Sequence, residues 1–306
     1  AVVLPIAALI TWGGLRRLKN VGETEYSTVD WFSVATAAIG FGGLVYGLSL
    51  FEGGDLRVAG AVTAGGLAMI AVFVVRQLVL QRRGTPLLDL RTLRHRTFTI
   101  GLIMMAVAFM AMIGTMMLLP LYLQNVRELS PLATGLLVMP GGLAMGLLGP
   151  VVGRLFDRFG GRVLVVPGAI GITLALAGFT QVTLATPYWL LLAMHVLLSL
   201  CLALTFTPVF TLALGAIPSS LYSHGSSILS TLQQVAAAFG TALVITVMSA
   251  RAGALRDAGV TDVLAMLSGM RTAFIIGAVL SVVVVITAVL MPSRSENAGE
   301  HVGVGH

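Results

Sequence analysis

Asp157, Arg158 and Arg162 are the residues whose types and spacing most suggest chemistry, because a carboxylate and guanidinium groups so close together can make and break ion pairs. At a membrane surface such a pairing is a bistable contact worth a few kcal/mol at most, roughly. The three sit in Gly153-Arg154-Leu155-Phe156-Asp157-Arg158-Phe159-Gly160-Gly161-Arg162, a charged turn between two long apolar runs. Gly160-Gly161 is expected to break the helix, leaving Asp157 just ahead of a new helix near Arg162, where the positive end of its dipole favours a carboxylate. Upstream, Gly135, Gly142, Gly146, Gly149 and Gly153 are 7, 4, 3 and 4 residues apart, a narrow arc of one helix. Such a face admits a second backbone, as membrane helices need when packing replaces hydrophobic drive. The stretch reads as a hinge-side latch; the plainer reading is a basic loop with a capping Asp.

Three further sets of residues could meet a ligand. Met105, Phe109, Met112 and Met116 recur at steps of 4, 3 and 4, all on one helix face. Methionines repack around varied apolar ligands, although the same stripe suits lipid or ordinary packing. His195, Ser199, Leu202 and Phe206 share a face of a later run, and an ionisable group at that depth should face protein or water. His195 could take a proton or pair with a substrate, or stay neutral and bond a neighbouring helix. Ser227, Ser230 and Gln234 line one face of another run, where amides and hydroxyls bond across helices or meet a substrate; Gln233 falls on a different flank and reads as structural. No Asp, Glu, Lys or Arg lies deep in a complete span, so His195 is the deep titratable candidate. The sequence shows no catalytic nucleophile–base pair, no metal-ligand cluster, and no phosphate-binding glycine loop ending in Lys-Ser/Thr. It therefore argues against an ATP-driven pump or membrane enzyme and calls for no cofactor. Cys201, the single cysteine, lies in an apolar run and reads as a small core residue.

The elements that must position these groups follow from composition. Of 306 residues, 57% are hydrophobic and 10% charged, with a mean hydropathy of +0.99. A soluble domain carries about a quarter charged residues, so the chain is an all-α polytopic membrane protein. The net charge of +6 comes from short clusters between apolar runs, not from a basic domain, which argues against nucleic acid. An apolar stretch to about Trp12, followed by Arg16, Arg17 and Lys19, has its charges on the wrong side for a signal peptide and reads as the end of a spanning helix.

Eight complete spans follow, at about 31–50, 56–80, 98–123, 131–152, 163–182, 187–214, 227–248 and 270–291. The first two form a hairpin. Thr85-Pro86 breaks the chain within a basic connector, where Leu87, Leu88, Leu90 and Leu93 suggest an amphipathic piece at the interface. Arg251 to Ser268 reads as a long polar connector. Alternate assignment of loops puts thirteen Lys and Arg on one side against five on the other. The richer side, with the Asp157 turn and the C-terminus, should be cytoplasmic in a plasma (inner) membrane.

The Gly153–Arg162 turn resembles the G-x-L-x-D-R-x-G-R/K signature of the major facilitator superfamily, in the copy carried by the C-terminal half. Pro86-Leu87-Leu88-Asp89-Leu90-Arg91, Leu119-Pro120-Leu121-Tyr122-Leu123-Gln124 and Ser230-Thr231-Leu232-Gln233-Gln234-Val235 are similar to its fourteen-helix drug/proton antiporter branch, the EmrB/QacA type. The resemblance implies a C-terminal portion of that fold. Residues 1–30 would hold the end of helix 6 and a cytoplasmic loop, 31–80 the extra helices 7 and 8, and 81–97 a basic connector. Residues 98–292 would form the six-helix bundle 9–14, and 293–306 a disordered cytoplasmic tail. It implies a proton-coupled exporter of amphiphilic drugs or other small molecules that works by alternating access with an N-terminal bundle absent from this sequence. That absent half would carry the coupling acid. Gly153, Asp157, Arg158, Gly161 and Arg162 would form a cytoplasmic gate. Met105, Phe109, Met112, Met116, His195, Ser199, Phe206 and Gln234 would be candidates for the central cavity. A dedicated exporter of one endogenous metabolite, lipid or siderophore is the alternative, and a non-transporting membrane scaffold a third.

Overall fold

A computed structural model of the chain describes residues 11–14, 30–52, 55–83 and 86–293. The chain divides after Asp30. Of the first unit, the structure describes a helical stretch at 11–14. The basic loop with Arg16, Arg17 and Lys19, and the tail from 294, lie outside the described residues.

Among its described residues the second unit holds eight helices long and apolar enough to cross a membrane. They are α1 (Trp31–Ser49), α2 (Leu56–Arg82), α3 (Arg96–Leu121), α4 (Pro131–Phe159), α5 (Gly161–Phe179), α6 (Tyr188–Gly215), α7 (Tyr222–Asp257) and α8 (Asp262–Leu290). Local signals set several ends. Ser130 caps α4, its Oγ accepting from Ala133 N–H at 3.2 Å with Pro131 in the first turn, and Asp55 caps α2 through Arg57 N–H at 2.8 Å. Gly160 takes φ 80°, a left-handed conformation that suits glycine, and alone separates α4 from α5. Pro120 cannot bond back to Met116, and α3 then loosens into a π-helical turn at Tyr122–Val126, where Arg127 N–H reaches Tyr122 C=O at 3.1 Å.

Two expectations about length are corrected. The polar stretch Arg251 to Ser268 is mostly helix: α7 continues to Asp257, α8 begins at Asp262, and Arg256 Nε pairs with Asp262 at 2.7 Å across the turn. α4 likewise runs on to Phe159 and carries Asp157 in its last turn. Hydropathy locates the part of a helix that lipid covers, whereas backbone hydrogen bonding continues into polar turns beyond it.

α3 to α8 share one core, in which α3 packs on α6, α7 and α8, and α5 on α6 and α8. α4 is peripheral and leans mainly on α6. Polar ties cross the core: Ser281 Oγ donates to Thr173 Oγ1 at 2.9 Å, Arg271 Nε to Thr180 C=O at 2.8 Å, and Tyr122 Oη to Thr183 C=O at 2.6 Å. The α1–α2 hairpin touches the bundle at α7, through Leu44 and Leu48 on Ala242. Gln77, fully buried in α2, pins the hairpin to the connector. Its Nε2 donates to Ser33 Oγ at 2.8 Å and its Oε1 accepts from Leu88 N–H at 3.0 Å.

The connector forms a 3₁₀ turn at Leu90–Arg94, capped by buried Asp89. Leu88 packs on the core while Leu87 and Leu93 are exposed. The Asp89 carboxylate accepts Arg91 N–H at 2.9 Å and the Arg91 guanidinium from Nε at 2.9 Å and Nη2 at 2.5 Å. Burial alone would raise its pKa, but the hydrogen bonds and charge of Arg91 outweigh that and hold it below the ordinary carboxylate value. Folding therefore gains from the ionised form. That gain is complete above about pH 4, the unfolded range, and is lost as pH falls through the depressed folded value. Asp89→Asn is expected to cost about 1 kcal/mol at pH 7 through the lost charge-assisted bonds to the Arg91 guanidinium, since an amide oxygen can still cap the turn. Amide hydrogen-exchange protection at residues 90–94, measured at pH 7 and pH 3, should fall with acid in the wild type and stay low and flat in the variant.

Candidate ligand cavity

α3, α4 and α6 line a half-open apolar cavity of about 450 Å³. Met112 and Met116 of α3, Val138 and Met145 of α4, and Leu198 and Leu202 of α6 give it apolar walls, with Pro120 and Gln124 also lining it. Most hydroxyls nearby are spent on their own helices: Thr115 Oγ1 bonds Ala111 C=O at 3.0 Å, and Ser199 Oγ bonds His195 C=O at 2.9 Å. Two buried polar atoms of the lining are not spent. His195 Nδ1 and Thr134 Oγ1 have no hydrogen-bond partner, although the two residues are 5% and 3% exposed. An unpaired buried polar group costs about 1–3 kcal/mol, so a pair in one cavity is a site prepared for a polar atom that arrives with a ligand or water. A neutral imidazole nitrogen accepts or donates according to tautomer and a hydroxyl does either, so the pair can hold a carbonyl, hydroxyl or amine.

Gly141 of α4 makes the placement of His195 possible. A Cβ there would fall on the imidazole Cδ2 and Nε2 and come within 2.8 Å of Ser199 Oγ. The helix therefore approaches along Thr134, Gly141 and Val152, its buried residues. This corrects the expected face: Gly135, Gly142, Gly146, Gly149 and Gly153 have open space where a side chain would be. Gly135 and Gly142 border the cavity beside that contact, and no other helix among the described residues closes on the row.

The methionine stripe is divided. Met112 and Met116 line this cavity with His195 and Ser199, whereas Met105 and Phe109 line a second, more open space of about 360 Å³ with Phe206 and Gln233. The Phe109 and Phe206 rings meet there with centroids 5.3 Å apart. Gln234 is exposed and lines neither space, while Gln233, read as structural, lines the second. Thr134 and Gly141 were missed. Their signal is a step of seven residues that brings a small and a hydroxylated position onto one face.

At the Gly153–Arg162 turn, Asp157, Arg158 and Arg162 are exposed and form no ion pair among the described residues. Arg158 lies 5.1 Å over the Phe159 ring. Asp157 ends α4 and does not precede α5, so the expected help from the α5 dipole is corrected to a position at the negative end of α4. Backbone holds the turn instead: Gly161 N–H donates to Ser293 C=O at 2.9 Å, and a Cβ at Gly161 would strike Leu212. The charges are left free for another partner.

The family model described as Major Facilitator Superfamily matches residues 29–241. The lincomycin resistance protein LmrB of Listeria innocua is 35% identical over 288 residues, which covers 92% of this chain and 60% of that protein. The multidrug resistance protein Stp of Mycobacterium tuberculosis is 28% identical over 81% of this chain and 46% of its own length. The riboflavin transporter RibZ of Clostridioides difficile is 27% identical over 64% of this chain and 42% of its own. The chain thus spans 60% or less of these relatives.

Proposed function

The chain belongs to the Major Facilitator Superfamily, and on that premise we propose that the protein containing it expels amphiphilic drugs or other small molecules in exchange for protons. The observation that carries the reading is the apolar cavity with Thr134 Oγ1 and His195 Nδ1 unpaired in its wall. Pockets of this kind bind by apolar contact and orient by a few polar groups. Met112 and Met116 let the wall repack around different ligands, and Met105, Phe109 and Phe206 extend the apolar surface.

Alternating access needs a second bundle, and the open glycine side of α4 gives it a place to dock. Gly153, Asp157, Arg158, Gly161 and Arg162 then form the cytoplasmic gate, their unpaired charges meeting that bundle in one state and releasing it in the other. The bias of basic residues supports a multi-pass inner-membrane protein with its C-terminus in the cytoplasm. The coupling acid belongs to the second bundle. A narrower reading, a dedicated carrier of one metabolite, is favoured by the similarity to a protein named as a riboflavin transporter.

The test is uptake into inside-out vesicles carrying the protein under a proton gradient, with several cationic dyes and several single metabolites offered in turn. Gradient-dependent uptake of more than one dye is the expected result. Movement of one metabolite alone would establish the narrower reading, and no gradient-dependent flux of any compound would leave only a scaffold. In the same vesicles, Asp157→Asn is expected to lower transport at equal expression; an unchanged rate would remove the gate.

A further inference from the structure

Arg94 is an exposed guanidinium with no ion-pair partner among the described residues, set where the chain enters a membrane span. With Arg91 and His95 it lines one wall of a groove of about 440 Å³, and Pro218, Ser220 and Leu221 from the turn before α7 line the other. Arg91 is already engaged by Asp89, which leaves Arg94 as the uncommitted charge and the His95 ring as a polar neighbour. His95 and Tyr222 stand at the starts of α3 and α7, so two helix entries flank the groove.

The surroundings are those of a lipid headgroup. Leu93 and Tyr222 are 40% and 51% exposed beside the groove, and Leu221 packs on the bundle core. Cationic side chains, a hydroxyl and apolar rims at one depth match a molecule with a phosphate, a glycerol and acyl chains. Basic pockets between spanning helices bind anionic headgroups by this chemistry. We infer that the groove between the Leu90–Arg94 turn and the Pro218–Leu221 turn binds the phosphate of an anionic phospholipid. Arg94 supplies the charge, Arg91 holds the turn and one edge of the site, and Ser220 offers a hydroxyl donor from the far wall. Such a lipid joins the connector to the start of α7, two elements that otherwise meet at the surface. The inference needs a membrane but not the transport reading, so either can fail alone.

Binding of phosphatidylglycerol to the protein in neutral detergent, titrated by native mass spectrometry, tests the site, with phosphatidylcholine and soluble glycerol phosphate as comparison ligands. Saturable binding of phosphatidylglycerol is expected, weakened about fivefold by Arg94→Gln, as for the loss of one basic residue near a membrane surface. Arg94→Gln combined with His95→Gln should weaken it further, and Arg82→Gln with Arg83→Gln, exposed but outside the groove, should not. Equal binding by Arg94→Gln and wild type would overturn the site, as would an equal loss in the Arg82/Arg83 variant. Binding of phosphatidylcholine or glycerol phosphate as tight as that of phosphatidylglycerol, with the same dependence on Arg94, would overturn the anionic lipid as occupant.

Discussion

Gly141→Val is expected to abolish ligand binding in the α3–α4–α6 cavity and to destabilise α4 by about 3 kcal/mol, the upper part of the range for forcing bulk into a packed interior. The first methyl-sized atom added there already overlaps the His195 ring, and the valine methyls have only Ser199 and the α6 surface in which to lodge. α4 leans mainly on α6 and cannot redistribute the strain among other neighbours. It must tilt away, which opens the cavity wall and moves Thr134, about two turns along the same face, out of the wall it shares with His195. Ligand affinity measured by fluorescence of a bound dye should fall more than tenfold. Gly141→Ala combined with His195→Ala should recover part of the stability, because the shorter partner vacates the space that the new Cβ needs, and the double-mutant cycle should return a coupling of about 1 kcal/mol or more. Gly142→Ala is the internal comparison. Its Cβ meets nothing within 4 Å, so the isolated chain should change by less than about 0.5 kcal/mol. Additive single effects in the Gly141–His195 cycle would mean that the glycine does not set the position of the imidazole.

The contrast between these adjacent glycines also shows what the sequence could and could not disclose. All eight spans were legible, because each stretch that lipid must cover is a run of apolar side chains. The turn at Gly160-Gly161 was legible too, since two glycines between charged residues have few other uses. The row Gly135, Gly142, Gly146, Gly149 and Gly153 was found correctly as one face, yet the rotation of that face about the bundle depends on which neighbour lies where, and Gly141 beside that row received the close contact. The same loss of rotational information exchanged Gln234 for Gln233 and divided the methionine stripe between two spaces. Helix ends were misjudged at Asp257 and Asp262 because polarity was read as loop. Gln77 drew no notice, since an isolated amide in an apolar run has no pattern; its importance lies in Ser33 and Leu88, 44 and 11 residues away. His195 was singled out from depth alone, and what makes it a candidate site, an unpaired nitrogen in the same cavity wall as an unpaired hydroxyl, is visible only in three dimensions.

Gly66→Val is expected to separate the α1–α2 hairpin at a cost of about 3 kcal/mol or more while leaving the cavity able to bind. Gly40, Gly43 and Gly47 of α1 face Thr63, Gly66 and Ile70 of α2 at matching steps of three and four. A Cβ on Gly66 would overlap Leu44 N and lie 2.8 Å from Gly43 C, both backbone atoms that no rotamer change can move. Gly43 in turn would place its Cβ 3.4 Å from the Gly66 Cα, so the two backbones are in contact. In lipid, close packing of this kind supplies much of the attraction between helices, and pushing the backbones apart forfeits it along the whole seam. The Gln77 to Ser33 bond crosses the same seam and should fail with it, which frees Leu88 N–H and loosens the connector. Proteolysis near residues 83–86 should then accelerate several-fold. Gly65→Val, one residue away with open space around it, should leave both stability and proteolysis unchanged. The bundle has its own core and meets the hairpin through Leu44, Leu48 and Ala242, so dye binding beside His195 should survive in Gly66→Val. Parallel loss of binding and hairpin packing would show instead that the two extra helices hold the cavity in shape.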